Sequence, residues 1–146
     1  MFIEIDKVRE FMRLFGQECP SKPVMPDASL VKNRSGFQKS EAQEMADSSE
    51  LIGYFDAVLD QLYIAYGHAV AAGFSGLQVQ QGFLEVHRSN MTKLWPERYI
   101  HNAPPGCVAK EVLPKMYSVL DATGKVVKPP TWTPPDLEPI LNQTYE

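Results

Sequence analysis

The stretch YFDAVLDQLYIAYG, Tyr54 to Gly67, decides the fold reading, because it is apolar or aromatic at helical spacing yet carries two aspartates, Asp56 and Asp60, four residues apart. Around it Leu51, Ile52, Phe55, Val58, Leu59, Leu62, Tyr63, Tyr66 and Val70 follow the i, i+3, i+4, i+7 rule of a helix with one apolar stripe. The spacing predicts a helix from about residue 50 to 72, closed by Gly73, with that stripe in a core. At about 100° per residue the two acids sit roughly 40° apart on the shoulder of the stripe, with Gly53 and Gly67 on the same edge.

Working outward, Phe2, Ile3, Val8, Phe11, Met12, Leu14 and Phe15 predict a first helix over residues 2 to 15 that Gly16 ends. ECPSKPVMPDAS spends three prolines in a short run and reads as a loop. A second helix starts in or after DASLVKNRSG and runs through FQKSEAQEMADS, and SGLQVQQGFLEVHRSNMTKLW supplies a fourth. From Pro96 onward prolines dominate, with a hairpin expected in MYSVLDATGKVVK about a turn at DATG. The fold class expected is all-α: a four-helix bundle over about residues 1 to 95, and an irregular, proline-rich C-terminal arm over about 96 to 146, together one domain. The arm is expected to wrap over the helices or over a neighbouring subunit.

The 146 residues, 44% hydrophobic and 22% charged with net charge -4, describe a globular chain without the basic excess of a nucleic-acid binder. No window reaches transmembrane length, and MFIEIDKVREFMRLFG lacks the pattern of a signal peptide, so a cytoplasmic location with no membrane partner is expected. Cys19 and Cys107 have no metal-ligand or disulfide spacing and are read as free thiols.

The second helix carries Glu41 and Glu44 at i, i+3, so two adjacent helices can aim four carboxylates, Glu41, Glu44, Asp56 and Asp60, at one gap. Four facing carboxylates repel unless cations sit among them, and hard oxygen donors suit Mg²⁺ first and Mn²⁺ second. Spacing alone leaves open that all four are solvated helix margins. On the fourth helix Asn90, Lys93 and Arg88 offer an amide and two cations to phosphate oxygens, or alternatively complement the helix dipole. His87 reads as a surface or capping residue, and Tyr63 and Tyr66 as core residues that at a pocket edge can also stack on a base.

Taken in order, VREFMRLFGQ, EAQE, DAVLDQLYIAYGHAVAAGF, FLEVHRSNMTKLWP and GKVVKPPTWTPPDL resemble the phage and bacterial branch of the MazG-like all-α nucleoside triphosphate pyrophosphohydrolases, a superfamily that includes dimeric dUTPases and phosphoribosyl-ATP pyrophosphohydrolase. Residues 97 to 120 read as an insertion. The resemblance implies hydrolysis between the α- and β-phosphates, giving monophosphate and pyrophosphate, on Mg²⁺ ions held by EExxE on one helix and ExxD on the next. Glu41 and Glu44 match the last two acids of the first motif and Asp60 the aspartate of the second. Ser40 stands where the first Glu is usual and Ala57 where the Glu of ExxD would be, while Asp56 is familiar in the phage branch. The Ser40 departure leaves water activation to Glu41 or to the ion itself. Asn90 and Lys93 match positions that touch phosphates, with Arg88 beside them, and Lys93 would offset charge in the reaction. Gln17, in a matching FGQ, has the donor and acceptor set to read a base edge. Among substrates a purine deoxynucleotide such as dGTP is expected first, in phage-type nucleotide-pool control within a host cytoplasm. The alternatives are dUTP or dCTP, phosphoribosyl-ATP, and a degenerate nucleotide-binding module motivated by Ser40 and Ala57. The resemblance also implies active sites built between subunits, hence a homodimer or homotetramer.

Overall fold

The computed structural model describes residues 2–143 and divides into two compact units, Met1–Gln80 and Gln81–Glu146. The last three residues of the expected arm, 144–146, lie outside the described residues. Four long helices dominate: α1 Ile3–Leu14, α2 Ala28–Asp47, α3 Leu51–Ala71 and α4 Gly76–Met91, the last containing the boundary between the units.

In the first unit, α1 buries Ile5, Val8 and Met12 on one face. It ends in a Schellman turn: the Gly16 N–H donates to Arg13 O at 3.1 Å and the Gln17 N–H to Met12 O at 2.8 Å. That turn requires the φ of +71° that Gly16 adopts. Asp27 caps α2, its Oδ1 accepting from the N–H groups of Ser29 at 2.8 Å and Leu30 at 3.1 Å. A three-residue link, 48 to 50, turns the chain into α3, which packs antiparallel along α2: the Gln38 side chain donates to Gln61 O, and Gln61 Nε2 lies 3.1 Å from Met45 Sδ. Ile5, Val8, Met12, Val70 and Ala71 form the core, with Phe2, Leu30, Tyr66 and Val79 against it.

Two expectations are corrected here. Extended helix packing in the first unit is between α1 and α3 and between α2 and α3, so this unit holds three packed helices rather than a four-helix bundle. The expected apolar stripe of α3 is buried only toward its C-terminal end, at Val70 with Tyr66 against the core. The residues α3 buries are Ala57, Gly67, Val70 and Ala71, while Leu51, Ile52, Phe55, Leu59 and Leu62 stay exposed, Leu51 at 84%. Small residues let α2 approach α3 closely, which turns the large side chains of the N-terminal half outward.

The second unit contains a three-stranded antiparallel sheet, which corrects the all-α expectation to mostly helical with a small sheet. Its strands, β1 Trp95–Pro96, β2 Val108–Leu113 and β3 Met116–Leu120, are ordered β1-β3-β2. The main hairpin turns at Pro114 and Lys115, inside the segment read as an insertion. The DATG turn is also present, closed by Asp121, but supports one bridge, Leu120 to Val126. Trp95 and Val119 are buried, and the Trp95 indole donates to Val127 O at 2.8 Å. The proline-rich segment lies over α4 of this unit: Ser89 Oγ donates to Thr133 O at 2.8 Å, and the Thr133 N–H to Thr92 Oγ1 at 3.0 Å.

Candidate active site

Glu41 and Glu44 come from one face of α2, Asp56 and Asp60 from α3. Asp60 lies three residues after buried Ala57 and seven before buried Gly67, so helical geometry places it on the edge that packs toward α2. Glu44, Asp60 and Asp56 lie near enough for their charges to bear on Glu41. The Glu41 carboxyl is held above its ordinary pKa, first by its own desolvation and then by the negative charges of Glu44, Asp60 and Asp56. Glu41 Oε2 is buried and has no hydrogen-bond partner. A carboxylate oxygen removed from water without a donor is costly and calls for a cation or proton at that point. The donor set is all oxygen, which suits a hard divalent ion. As placed, no three carboxylate, imidazole or thiol groups among the described residues close on one ion-sized position, so these side chains would have to turn inward to ligate.

Ser40, beside Glu41, is exposed, and Ala57, at the position of a usual Glu in the resemblance, is 4% exposed. A longer acid at 57 would be placed at a buried position, whereas Asp56, one position earlier, is exposed.

Gln17 follows the Schellman turn of α1 and lines a cavity of about 420 Å³ with Met12, Glu18, Asn33, Arg34 and Phe37. Tyr63 meets Phe11 edge to face, with ring centroids 5.7 Å apart, and is part-exposed rather than core. Sequence reasoning passed over Arg34. Its Nε is buried without a partner, and its guanidinium lies over Gly67, where a Cβ would collide with Nη2. Burial lowers its pKa. The available signal was register: Arg34 precedes Glu41 by seven residues, and Gly67 follows Asp60 by seven.

In the second unit, Lys93 Nζ donates to Asn90 Oδ1 at 2.8 Å, so the expected phosphate-contacting pair is in mutual contact. Arg88 is engaged by its neighbours: Nε and Nη2 grip Glu85 at 2.8 and 2.7 Å, Nη1 donates to Thr133 Oγ1, and Nη2 also reaches Pro134 O. Glu85 additionally accepts from the Asp136 N–H, and these bonds, the Arg88 side chain first, pull its pKa down to about 2.

The helical scaffold thus sets one buried, unpartnered carboxylate oxygen among three further acids. The phosphoribosyl-ATP pyrophosphohydrolase family model matches residues 8–90, more than half of the chain. The chain belongs to this family. With it comes the MazG-like all-α nucleoside triphosphate pyrophosphohydrolase superfamily, and the protein is a nucleotide pyrophosphohydrolase, a hydrolase of phosphoanhydride bonds. The matched segment covers α2, α3 and all four acids, and stops before β1. No curated protein matches the chain.

Proposed function

We propose that the protein is a Mg²⁺-dependent deoxynucleoside triphosphate pyrophosphohydrolase, converting a dNTP and water to dNMP and pyrophosphate, with a purine substrate such as dGTP first, in phage-type nucleotide-pool control. The observation that carries this reading is Glu41 Oε2, buried without a partner while Glu44, Asp56 and Asp60 bear on the same carboxyl. Those four residues would hold Mg²⁺, with Mn²⁺ able to substitute; when bound, the ion supplies charge neutralisation of the phosphates and acidification of the attacking water. Glu41 takes the proton of that water as its oxygen attacks the α-phosphorus and the bond to the bridging oxygen breaks. Ser40 has no carboxylate to compete for this role. On the strength of the resemblance, Lys93 and Asn90 are kept as phosphate contacts and Gln17 as a base contact, with Tyr63 as a stacking surface from its residue type; Arg88 would have to leave Glu85, Thr133 and Pro134 to join them.

The test is pyrophosphate and monophosphate formation from a panel of NTPs, dNTPs and phosphoribosyl-ATP. Glu41→Gln and Asp60→Asn are expected to abolish release, at least a hundred-fold by the scale of removing a catalytic base, with the helical circular-dichroism spectrum unchanged. Full activity in either variant would sink the acid assignment. Nucleotide binding without turnover in the wild type would instead favour the degenerate module that Ser40 and Ala57 suggest. A second substrate reading, phosphoribosyl-ATP, draws support from the family match; turnover of that compound alone on the panel would establish it.

We also propose a homodimer or homotetramer. Its support is the row of exposed apolar side chains on α3, Leu51, Ile52, Phe55, Leu59 and Leu62, larger than scattered surface residues require.

A further inference from the structure

Among the described residues no carboxylate pairs with Arg34. Its Nε is buried and unpartnered, it takes part in neither of the ion pairs among the described residues, and Arg34 lines the cavity that Gln17, Glu18, Asn33 and Phe37 also line. The chain makes room for it: Gly67 lacks the side chain that would push the guanidinium away, and any Cβ there would strike Nη2. Part of this fork of donors is therefore held out of water with nothing to donate to.

Position says what should fill the gap. Arg34 precedes Glu41 on α2, and Gly67 follows Asp60 on α3, by seven residues each, so the guanidinium lies about 10 Å along the helix pair from the acid cluster. A nucleotide whose phosphates sit at the acids can reach that distance with its base. We infer that Arg34 is the specificity-determining residue of a nucleobase pocket, its guanidinium donating to the adjacent ring-nitrogen and carbonyl acceptors of a 6-oxopurine. Guanine presents N7 and O6 side by side, matching the two-donor fork, whereas adenine places an amino donor where O6 would be. Phe37, 59% exposed at the cavity edge, offers a ring face for stacking, and the Glu18 carboxylate and Gln17 amide offer acceptors to the base's own N–H groups. This inference rests on the nucleotide-hydrolase reading for its choice of ligand, but it concerns the base and not the phosphates.

The experiment measures equilibrium binding of dGMP and dAMP without divalent ions, then the dGTP to dATP hydrolysis ratio with Mg²⁺, for wild type, Arg34→Lys and Gly67→Ala. The wild type is expected to prefer the guanine nucleotide by about ten-fold or more, the range of one bidentate base contact. Arg34→Lys keeps the charge but loses the planar fork, and Gly67→Ala displaces it; each should bring the ratio near one, Gly67→Ala without lowering the melting temperature. A wild type without preference, or an unchanged ratio in Arg34→Lys, overturns the proposal. So does a loss confined to displacement by inorganic phosphate, since Arg34 would then be holding a second phosphate. Hydrolysis with an Arg34-independent ratio defeats this inference alone. An Arg34-dependent guanine preference in a protein that hydrolyses nothing supports it and defeats the hydrolase reading.

Discussion

At the scale of single residues, two unpaired groups on α2 carry the functional reading. Glu41 and Arg34 both carry buried polar atoms without partners, and both are expected to gain them from a ligand. Arg88 and Glu85 show the opposite condition, a pair completed within the chain. Glu85 gives a pH prediction with a definite sign. Its folded pKa, about 2, lies below the ordinary 4.5, so the folded state binds its proton less readily than the unfolded one. Its stabilising contribution is complete above the unfolded value and is lost as pH falls from about 4.5 toward 2. Acid unfolding of Glu85→Gln, followed by Trp fluorescence, is expected to show a shallower loss across that window than the wild type. An identical pH profile would mean the bonds to Arg88 and Asp136 do not bear on folding.

At the scale of elements, local signals set helix ends and non-local ones set the rest. Asp27 and Gly16 sit where the sequence reading ends a loop and a helix, because capping uses side chains within three residues of the end. Asp27→Ala should lower stability by about 1 kcal/mol, the usual worth of an N-cap, in urea unfolding. Because α2 carries both glutamates and Arg34, its loss is expected to weaken nucleotide binding as well. The hairpin was less legible. DATG looks like a turn and is one, yet it closes a single bridge, while the longer ladder grows from Pro114 and Lys115, where a non-Gly residue takes φ of 59°. Strand pairing depends on which segment meets which, and turn chemistry alone does not say.

At the scale of the whole molecule, the exposed stripe of α3 carries the clearest expectation. If a second copy covers Leu51, Ile52, Phe55, Leu59 and Leu62, then Phe55→Asp combined with Leu59→Glu should yield a monomer by light scattering. A wild type already monomeric at micromolar concentration would remove the proposed oligomer. Among the described residues no helix is long and apolar enough to cross a membrane. The family segment ends at residue 90, so the sheet of the second unit is an addition beyond it.

Periodicity and capping in the amino-acid sequence determined four helices, their approximate ends, the one-face pairing of Glu41 with Glu44 and of Asp56 with Asp60, and through ordered motifs the hydrolase superfamily. These are properties of neighbours within a few residues, where helical geometry converts spacing into direction. Only the tertiary structure decided that the N-terminal half of α3 leaves its large apolar residues exposed, that the C-terminal region builds a sheet, and that Arg34 lies over Gly67 with its Nε unpartnered. Each of those outcomes depends on how closely two distant segments approach, a matter of side-chain volume across an interface that no periodicity encodes.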